Sequence, residues 1–535
     1  MKILVSDKLS DEGLSILQGE ANIQVDVRPG MSADELREQI GNYEGILIRS
    51  GTKLTADALS KPGDLRVIVR AGVGVDNVDL AAATRNGILV MNTPDANTLS
   101  TAEVALTLMM ALSRNIVPAA NSLTEGKWDR KSFVGAQLAG KTLGVIGLGR
   151  IGMAVAQRAL GLAMNVVSYD PFVGGSKTLE EKITQVDSLE DLLRQADYLT
   201  VHTPLTDGTR GLIGKKELAL LPEGARVINA ARGGIIDEDA LADALESGHL
   251  AGAALDVFTA EPPTNRRLIE NPKALCIPHL GASTVEAQQN VAIEAARTLV
   301  AYLKNGEVTS AVNAPAVDFA KAGEMRAYLE LGHRLGSILS SITMGRIKAV
   351  RLNYAGEITQ KPVEQITVSV VIGLLERHVQ QRLNLINALI VAREHNIDVQ
   401  QTTALAVGPY TTQLSATVVS DKEEHTISGT VFSDRYARVV TIDDFPVELR
   451  PEGDLVVTYT MDRPGVIGGI GTLFGEKGIN ISSMTFGRKK ASGESCVVLS
   501  LDSPPPDEVM EALKEKDFVA RVYRVSLPPL GEHSA

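Results

Sequence analysis

The chain has 535 residues, of which 44% are hydrophobic and 22% charged, and a formal charge of −12. That length exceeds one hydrophobic core and implies three or four domains, the composition excludes a disordered chain, and the acidic charge excludes nucleic acid or an anionic membrane as main partner. Only Cys276 and Cys496 are cysteines, which implies a reducing, cytoplasmic setting without a disulfide framework.

In chain order, Met1 leads into strand-like residues with no signal peptide in view. Residues 3–5, 23–27, 46–48, 67–69 and 88–91 read as short buried strands, with amphipathic segments such as 33–40 between them. This alternation predicts a parallel sheet covered by helices. Ligands bind beyond the carboxyl ends of such strands, and Arg49-Ser50-Gly51-Thr52 and Arg70-Ala71-Gly72-Val73-Gly74 stand there. Either arginine could build the basic pocket that an acidic protein needs for a phosphorylated or carboxylated substrate, or merely snorkel at the sheet edge. Thr93-Pro94-Asp95 predicts a turn, with Asn97 or Ser100 capping a long apolar helix over 101–115 that bridges two domains. Its apolar run near 105–112 is too short to span a bilayer. Trp128-Asp129-Arg130-Lys131 reads as a surface loop, suited to a subunit contact or to phosphate binding.

Residues 141–170 form the stretch around which the chain is organised. A strand buried on both faces is predicted over 142–146, then Gly147, Gly149 and Gly152 form G-x-G-x-x-G, and helical spacing runs over 151–162. The first glycine permits a tight turn, the second lets backbone N–H groups approach a pyrophosphate, and the third lets the helix pack on the strand. The anion then rests at the positive end of the helix. A second strand over 165–169 ends in Asp170. A carboxylate there accepts both ribose hydroxyls and repels a 2′-phosphate, so the expected cofactor is NAD rather than NADP.

Further strands are predicted over 198–201, 225–229 and 252–255, with a last one ending at 276–277, and helices over 188–195 and 241–246. They stop at His202-Thr203-Pro204, Ala230-Ala231-Arg232-Gly233-Gly234, Asp256 and Pro278-His279-Leu280-Gly281, loops that converge on one sheet edge. Three side chains there suit acid–base chemistry on a hydroxy acid. Arg232 offers a fork that grips a carboxylate with two hydrogen bonds and polarises a neighbouring carbonyl. His279 brings an imidazole, which can take a hydroxyl proton while hydride leaves the same carbon for a nicotinamide. Glu261 can accept the other imidazole N–H and fix the tautomer. A helix over 283–303 is expected to return and pack on the first unit, making that domain discontinuous.

After Asn305 the sequence GEVTSAVNAPAV reads as a linker. Residues 320–450 predict helices near 322–339, 363–377 and 383–394 and strands near 349–354, 411–419, 425–432 and 437–442. No ligand or nucleophile spacing occurs there, so a structural or regulatory role is expected. Residues 453–528 predict strand, helix, strand, strand, helix, strand, the ferredoxin-like order, which suits small-molecule sensing or assembly.

RAGVGVDNVD from Arg70, GLGRIG, VHTPLT from Val201, NAARGGIIDEDAL from Asn229, ALDVFTAEPP from Ala254 and PHLGAST from Pro278 make the chain resemble the D-isomer-specific 2-hydroxyacid dehydrogenase family over about residues 45–310. The extra intervening stretch and the terminal VTYTMDRPGVIGGIGTLFGEKGINISSM are similar to its long-form D-3-phosphoglycerate dehydrogenases, whose tail is an ACT domain. The resemblance implies an α/β fold with two Rossmann-like parallel-sheet domains: a discontinuous substrate-binding domain (1–98 and 283–310) and an NAD-binding domain (99–282). An α+β intervening domain resembling an allosteric substrate-binding domain (311–450) and a ferredoxin-like ACT domain (453–528) complete it.

It further implies oxidation of 3-phospho-D-glycerate to 3-phosphooxypyruvate by NAD, the first committed step of L-serine biosynthesis. Arg232 becomes the carboxylate-binding residue, and Glu261 and His279 the relay pair. Gly147, Gly149, Arg150, Ile151, Gly152, Asp170, Thr203, Pro204, Ala230, Asp256, Gly281 and Ala282 become cofactor contacts, with Asp256 facing the nicotinamide carboxamide. The backbone of Val73 and Gly74 would meet substrate carboxylate and cofactor, and Arg49 and Ser50 the phosphate. Val73 replaces a threonine often found there, which removes a side-chain contact and leaves the backbone one. L-serine would bind between paired ACT domains at Asp462 and Asn480, in a cytoplasmic homodimer or homotetramer without a metal. Two other readings stand beside this one. A glyoxylate or hydroxypyruvate reductase would need neither ACT tail nor phosphate pocket, and a non-catalytic NAD(H)-sensing interaction protein would share the fold.

Overall fold

Short apolar runs become the strands of the first sheet. The computed structural model describes residues 1–172, 182–314, 322–379, 381–405, 409–433, 435–490 and 492–529. In it β1 (Lys2–Val5), β2 (Gln24–Val27), β3 (Gly45–Ile48), β4 (Val67–Arg70) and β5 (Leu89–Asn92) pair in parallel in the order β2-β1-β3-β4-β5. β3 is buried at every position, as a parallel strand covered on both faces must be. Helix Val285–Asn305 returns from far along the chain as expected and packs on this sheet, and a Cβ on Gly13 would lie 2.8 Å from its Ala292.

The second sheet holds β6 (Thr142–Ile146), β7 (Asn165–Tyr169), β8 (Ile183–Gln185), β9 (Tyr198–Val201), β10 (Ala225–Asn229), β11 (Leu250–Leu255) and β12 (Ala274–Cys276). All pair in parallel, in the order β12-β11-β10-β9-β6-β7-β8. The chain winds outward in opposite directions from β6 and β9, so the loops after those strands part and open a crevice at the carboxyl edge.

Helix Thr98–Ser113 crosses between the sheets, with Ala102, Ala105 and Met109 in one core with Val145, Ile228 and Ala254. Sequence spacing predicts this helix to 115, but Asn115 takes a left-handed conformation (φ 49°) and a second helix, Ile116–Thr124, begins. Pro118 explains the break, since it lacks an N–H to continue the first helix yet is tolerated in the opening turn of the next. Asn97 occupies the N-cap without a side-chain cap bond, and Ser100 Oγ instead meets Thr284 Oγ1 at 2.8 Å. The helix predicted over 188–195 contracts to Leu189–Leu193.

The third sheet comprises β13 (Ile347–Gly356), β14 (Asp398–Ala404), β15 (Thr412–Ser420), β16 (Glu424–Phe432), β17 (Tyr436–Ile442) and β18 (Phe445–Leu449), ordered β14-β13-β15-β16-β17-β18. It is antiparallel except between β13 and β14. Helices Ala322–Ile342 and Val363–Leu375 join its core. They approach so closely that a Cβ on Gly373 would lie 1.9 Å from the His333 carbonyl oxygen. Gly373→Ala is therefore expected to wedge the helices apart at a cost of about 1–3 kcal/mol, read as a lower midpoint in thermal unfolding. The helix predicted over 383–394 begins only at Ala388, because Asn384 and Asn387 donate instead to the Gly87 (2.7 Å) and Arg85 (3.2 Å) carbonyls beside the first sheet.

The fourth sheet, β19 (Gly453–Met461), β20 (Ile481–Arg488), β21 (Glu494–Leu501) and β22 (Val519–Leu527), is antiparallel in the order β20-β21-β19-β22. With helices Val466–Glu476 and Asp507–Lys514 it forms the expected βαββαβ unit. Val456 of β19 packs with those helices, whereas Leu455, Val457 and Tyr459 enter one core with Ile342, Val418 and Phe445 of the third unit. A polar knot closes that seam: Asp443 Oδ2 lies 2.7 Å from His425 Nδ1 and also accepts from the Tyr459 hydroxyl. No helix among the described residues is long and apolar enough to cross a membrane.

Candidate active site

The turn from β6 into helix Arg150–Gly161 needs glycine for steric reasons. Gly147 has φ 85°, a Cβ on it would lie 2.8 Å from the His202 carbonyl oxygen, and one on Gly152 would lie 2.0 Å from the Gly147 oxygen. Nothing stands within 4 Å of a Cβ on Gly149, so a bare helix N-terminus faces the crevice. Asp170, ending β7, accepts from Leu148 N (2.8 Å) and Phe172 N (2.9 Å), which holds a carboxylate beside the turn. After β9, Thr203 Oγ1 and His202 Nδ1 are buried without a hydrogen-bond partner. Burial pushes His202 down to about 4, so its ring is neutral near pH 7. An open glycine cradle, a flanking carboxylate and an orphaned hydroxyl fit a dinucleotide. Arg150, the first helical residue, pairs with Asp95 at 2.5 Å.

Facing this turn, β10 ends at Asn229, whose side chain shapes the next loop. Its Oδ1 accepts from Ala231 N (3.1 Å) and its Nδ2 donates to the Arg232 carbonyl (2.9 Å). Arg232 then reaches toward the first sheet, where its Nε donates to Asp76 Oδ2 at 2.9 Å, while its Nη1 donates to the Ala231 carbonyl at 2.6 Å. Gly74 lies directly against the guanidinium, since a Cβ there would sit 1.8 Å from Nη2. Gly72 stands likewise against Arg70 Nη1, at 1.6 Å. Burial and the Arg232 charge push Arg70 down to about 10, with Asp76 opposing and Arg49 adding, so it still carries its proton at neutral pH. Arg49 Nη1 donates to the Lys8 carbonyl (3.1 Å), and Asp7 accepts from Arg49 N at 2.6 Å. The Arg232 and Arg49 charges thus both act on Arg70, with Asp76 and Asp7 opposing them. The Val73 carbonyl accepts from Asn92 Nδ2 (2.6 Å), which fixes that loop, and Ser50 is exposed beside it.

The third loop carries the histidine. Asp256 is 1% exposed at the end of β11, and its two oxygens accept from Leu280 N (2.5 Å) and Gly281 N (2.8 Å). Burial raises the Asp256 carboxyl above its usual range, while those two N–H bonds oppose the rise. The loop wrapped around this carboxylate gives His279 a left-handed φ of 53° and leaves its side chain 50% exposed. The resemblance has Asp256 face the nicotinamide; in the structure both of its oxygens hold the histidine loop. His279 Nδ1 lies 2.8 Å from Glu261 Oε2, and Glu261 Oε1 accepts from Phe258 N (3.2 Å). A carboxylate only accepts, so the shared proton sits on Nδ1 and the Nε2 of a neutral ring is left as an acceptor. The Arg232 loop abuts the Glu261 loop, since a Cβ on Gly233 would lie 1.9 Å from the Phe258 carbonyl oxygen.

Ala230 is buried behind the Arg232 turn, the Pro204 carbonyl accepts from Thr209 Oγ1 (2.6 Å), and Thr101 Oγ1 donates to the Gly281 carbonyl at 3.4 Å, next to Ala282. Ile151 follows Arg150 on the glycine-turn helix. Asp462 accepts from Ser492 N (3.2 Å) and Arg488 Nη1 (3.4 Å), whereas Asn480 Nδ2 donates to Asp502 (2.6 Å). These two stand in separate networks of one chain. Sequence reasoning missed Asp76 and Asn229 as parts of the site; an acid inside the glycine-rich loop after β4 is the one local signal that pointed to the first.

Family models match residues 106–281 (D-isomer specific 2-hydroxyacid dehydrogenase, NAD binding domain), 324–443 (D-3-phosphoglycerate dehydrogenase intervening domain) and 455–518 (ACT domain). The chain is 40% identical over 527 residues to a D-3-phosphoglycerate dehydrogenase of Methanocaldococcus jannaschii, covering 98% of this chain and 100% of that one. To the D-3-phosphoglycerate dehydrogenase of Bacillus subtilis it is 38% identical over 531 residues, with 98% and 100% covered. A solved NAD-dependent formate dehydrogenase from Staphylococcus aureus in complex with NAD superposes with a TM-score of 0.54 at 27% identity, covering 59% of this chain and 100% of that one. The chain belongs to the D-3-phosphoglycerate dehydrogenases, NAD-dependent oxidoreductases of the D-isomer-specific 2-hydroxyacid dehydrogenase family, in the form that carries an intervening and an ACT domain.

Proposed function

We propose that the crevice oxidises 3-phospho-D-glycerate to 3-phosphooxypyruvate with NAD, the first committed step of L-serine biosynthesis. The observation that carries this reading is Arg232, bonded across to Asp76 of the first sheet within reach of the Arg70 and Arg49 charges, on a loop that abuts that of the His279–Glu261 pair. Arg232 grips the substrate carboxylate, and Arg49 with Arg70 takes the phosphate. His279 Nε2 accepts the proton of the C2 hydroxyl as the C2–H bond breaks, and Glu261 stabilises the imidazolium that forms. Gly147, Gly149, Arg150, Ile151, Gly152, Asp170 and the loops at Thr203, Pro204, Ala230, Asp256, Gly281 and Ala282 would hold NAD, which when bound would supply the hydride acceptor. The backbone of Val73 and Gly74 lines the carboxylate side, and Ser50 the phosphate side.

The sheets support a substrate-binding domain of residues 1–98 and 283–310, an NAD-binding domain of 99–282, an intervening domain of 311–450 and an ACT domain of 453–528. The arm after the crossing helix exposes Ile116 (55%), Leu123 (57%), Trp128 (81%) and Val134 (80%), an apolar set suited to pairing with a second copy in a homodimer or homotetramer. The separate networks of Asp462 and Asn480 suit an L-serine site completed by a second ACT domain. Two unpaired cysteines support a reducing, cytoplasmic setting.

Initial rates on 3-phospho-D-glycerate, D-glycerate and glyoxylate, with NAD or NADP as the nucleotide, test the reading. The phosphorylated acid with NAD is expected to give the highest kcat/KM. Preference for D-glycerate or glyoxylate would reject the phosphate assignment, and preference for NADP would reject the role of Asp170.

A further inference from the structure

We propose that Asp76 is a positioning residue for Arg232, a strap across the crevice that sets which edge of the guanidinium faces the substrate. The inference rests on the carboxylate-binding role of Arg232. That side chain has five N–H donors. Nε is held by Asp76 at 2.9 Å, one Nη1 hydrogen by the Ala231 carbonyl at 2.6 Å, and Nη2 rests against Gly74. What remains is the outer edge formed by Nη1 and Nη2, whose parallel N–H bonds match a carboxylate. Asp76 follows β4 of the first sheet and Arg232 follows β10 of the second, 156 residues apart in sequence. The bond therefore makes the arginine's orientation depend on the two sheets holding their places.

Two features separate this role from simple stabilisation. The Asp76 side chain is 63% exposed, and exposed ion pairs add little to folding stability. Its charge is nonetheless placed to matter, because Arg232 and Arg70 repel each other and Asp76 offsets that repulsion. Without Asp76, repulsion by Arg70 pushes the Arg232 head off its site, and a misplacement of about 1 Å costs up to about 100-fold.

The full-length protein is assayed as wild type, Asp76→Ala and Asp76→Asn, with KM and kcat for 3-phospho-D-glycerate, KM for NAD and the thermal midpoint. Asp76→Ala is expected to raise the KM for the acid about 10- to 100-fold, leaving the NAD KM and the melting curve close to wild type. Asp76→Asn keeps an acceptor oxygen for Nε and recovers part of the loss. An acid KM that is unchanged or lower in Asp76→Ala overturns the proposal, the lower value because Asp76 would then be competing with substrate for Arg232. A parallel loss of NAD affinity and thermal stability also overturns it, in favour of a general structural part. If Asp76→Ala does not fold, Asp76→Asn decides by the same split. Wild-type protein inert on 3-phospho-D-glycerate but active on another 2-hydroxy acid would instead sink the substrate reading, and the Asp76 comparison would then be made on that acid.

Discussion

His279→Gln is expected to lower kcat for oxidation by about 1,000-fold, within the 100- to 10,000-fold range of general acid–base catalysis. Glutamine fits the site and its amide can still meet Glu261, but it cannot take up a proton near neutral pH. The backbone at position 279 is left-handed because Asp256 holds the N–H groups of Leu280 and Gly281, not because of the imidazole. Glutamine takes a left-handed conformation less readily than histidine, but the two N–H bonds to Asp256 still hold the loop, so the fold should survive. The glycine turn lies on a different loop, so the KM for NAD should stay near wild type. A kcat within tenfold of wild type would remove His279 from the chemistry.

What the sequence made legible was whatever local sterics or local periodicity decide. Gly147 and Gly152 are glycine because a Cβ would strike neighbouring carbonyl oxygens, and that requirement shows as a spacing. The βαββαβ unit was readable because its strands and helices alternate within a short stretch. Illegible features depend on distant partners or weak patterns. β14 reads DVQQTTA, a mostly exposed edge strand with no apolar alternation, and three-residue β8 is too short for a pattern. The late start of helix Ala388–Glu394 follows from Asn384 and Asn387 bonding carbonyls some 300 residues earlier. At the site, Arg232, Glu261 and His279 were visible by type and by their place after strands. The Asp76 contact and the Asp256 cradle were not, because only the fold brings those acids to their partners.

Arg232→Ala is expected to lower kcat/KM for 3-phospho-D-glycerate by about 1,000-fold. Truncating one partner of a hydrogen-bonded charge pair costs roughly 2–5 kcal/mol, and each 1.4 kcal/mol is about tenfold. The upper part of that range applies because the same fork also polarises the carbonyl that forms beside the carboxylate. Arg232→Lys should recover little, since an ammonium cannot bond Asp76, the Ala231 carbonyl and a carboxylate from one rigid plane. With the phosphate assigned to Arg49 and Arg70 in the proposed reading, saturation should remain measurable in both variants. In Arg232→Ala the Asp76 carboxylate loses its partner and stands beside the place the substrate carboxylate takes, adding repulsion to the lost attraction. The double variant Arg232→Ala with Asp76→Ala should therefore be more active than Arg232→Ala alone, although Asp76→Ala by itself impairs the enzyme. That reversal of sign is what a double-mutant cycle detects for two residues acting as a unit. Additive losses would mean that Asp76 and Arg232 serve the substrate independently, whatever bond joins them in the structure.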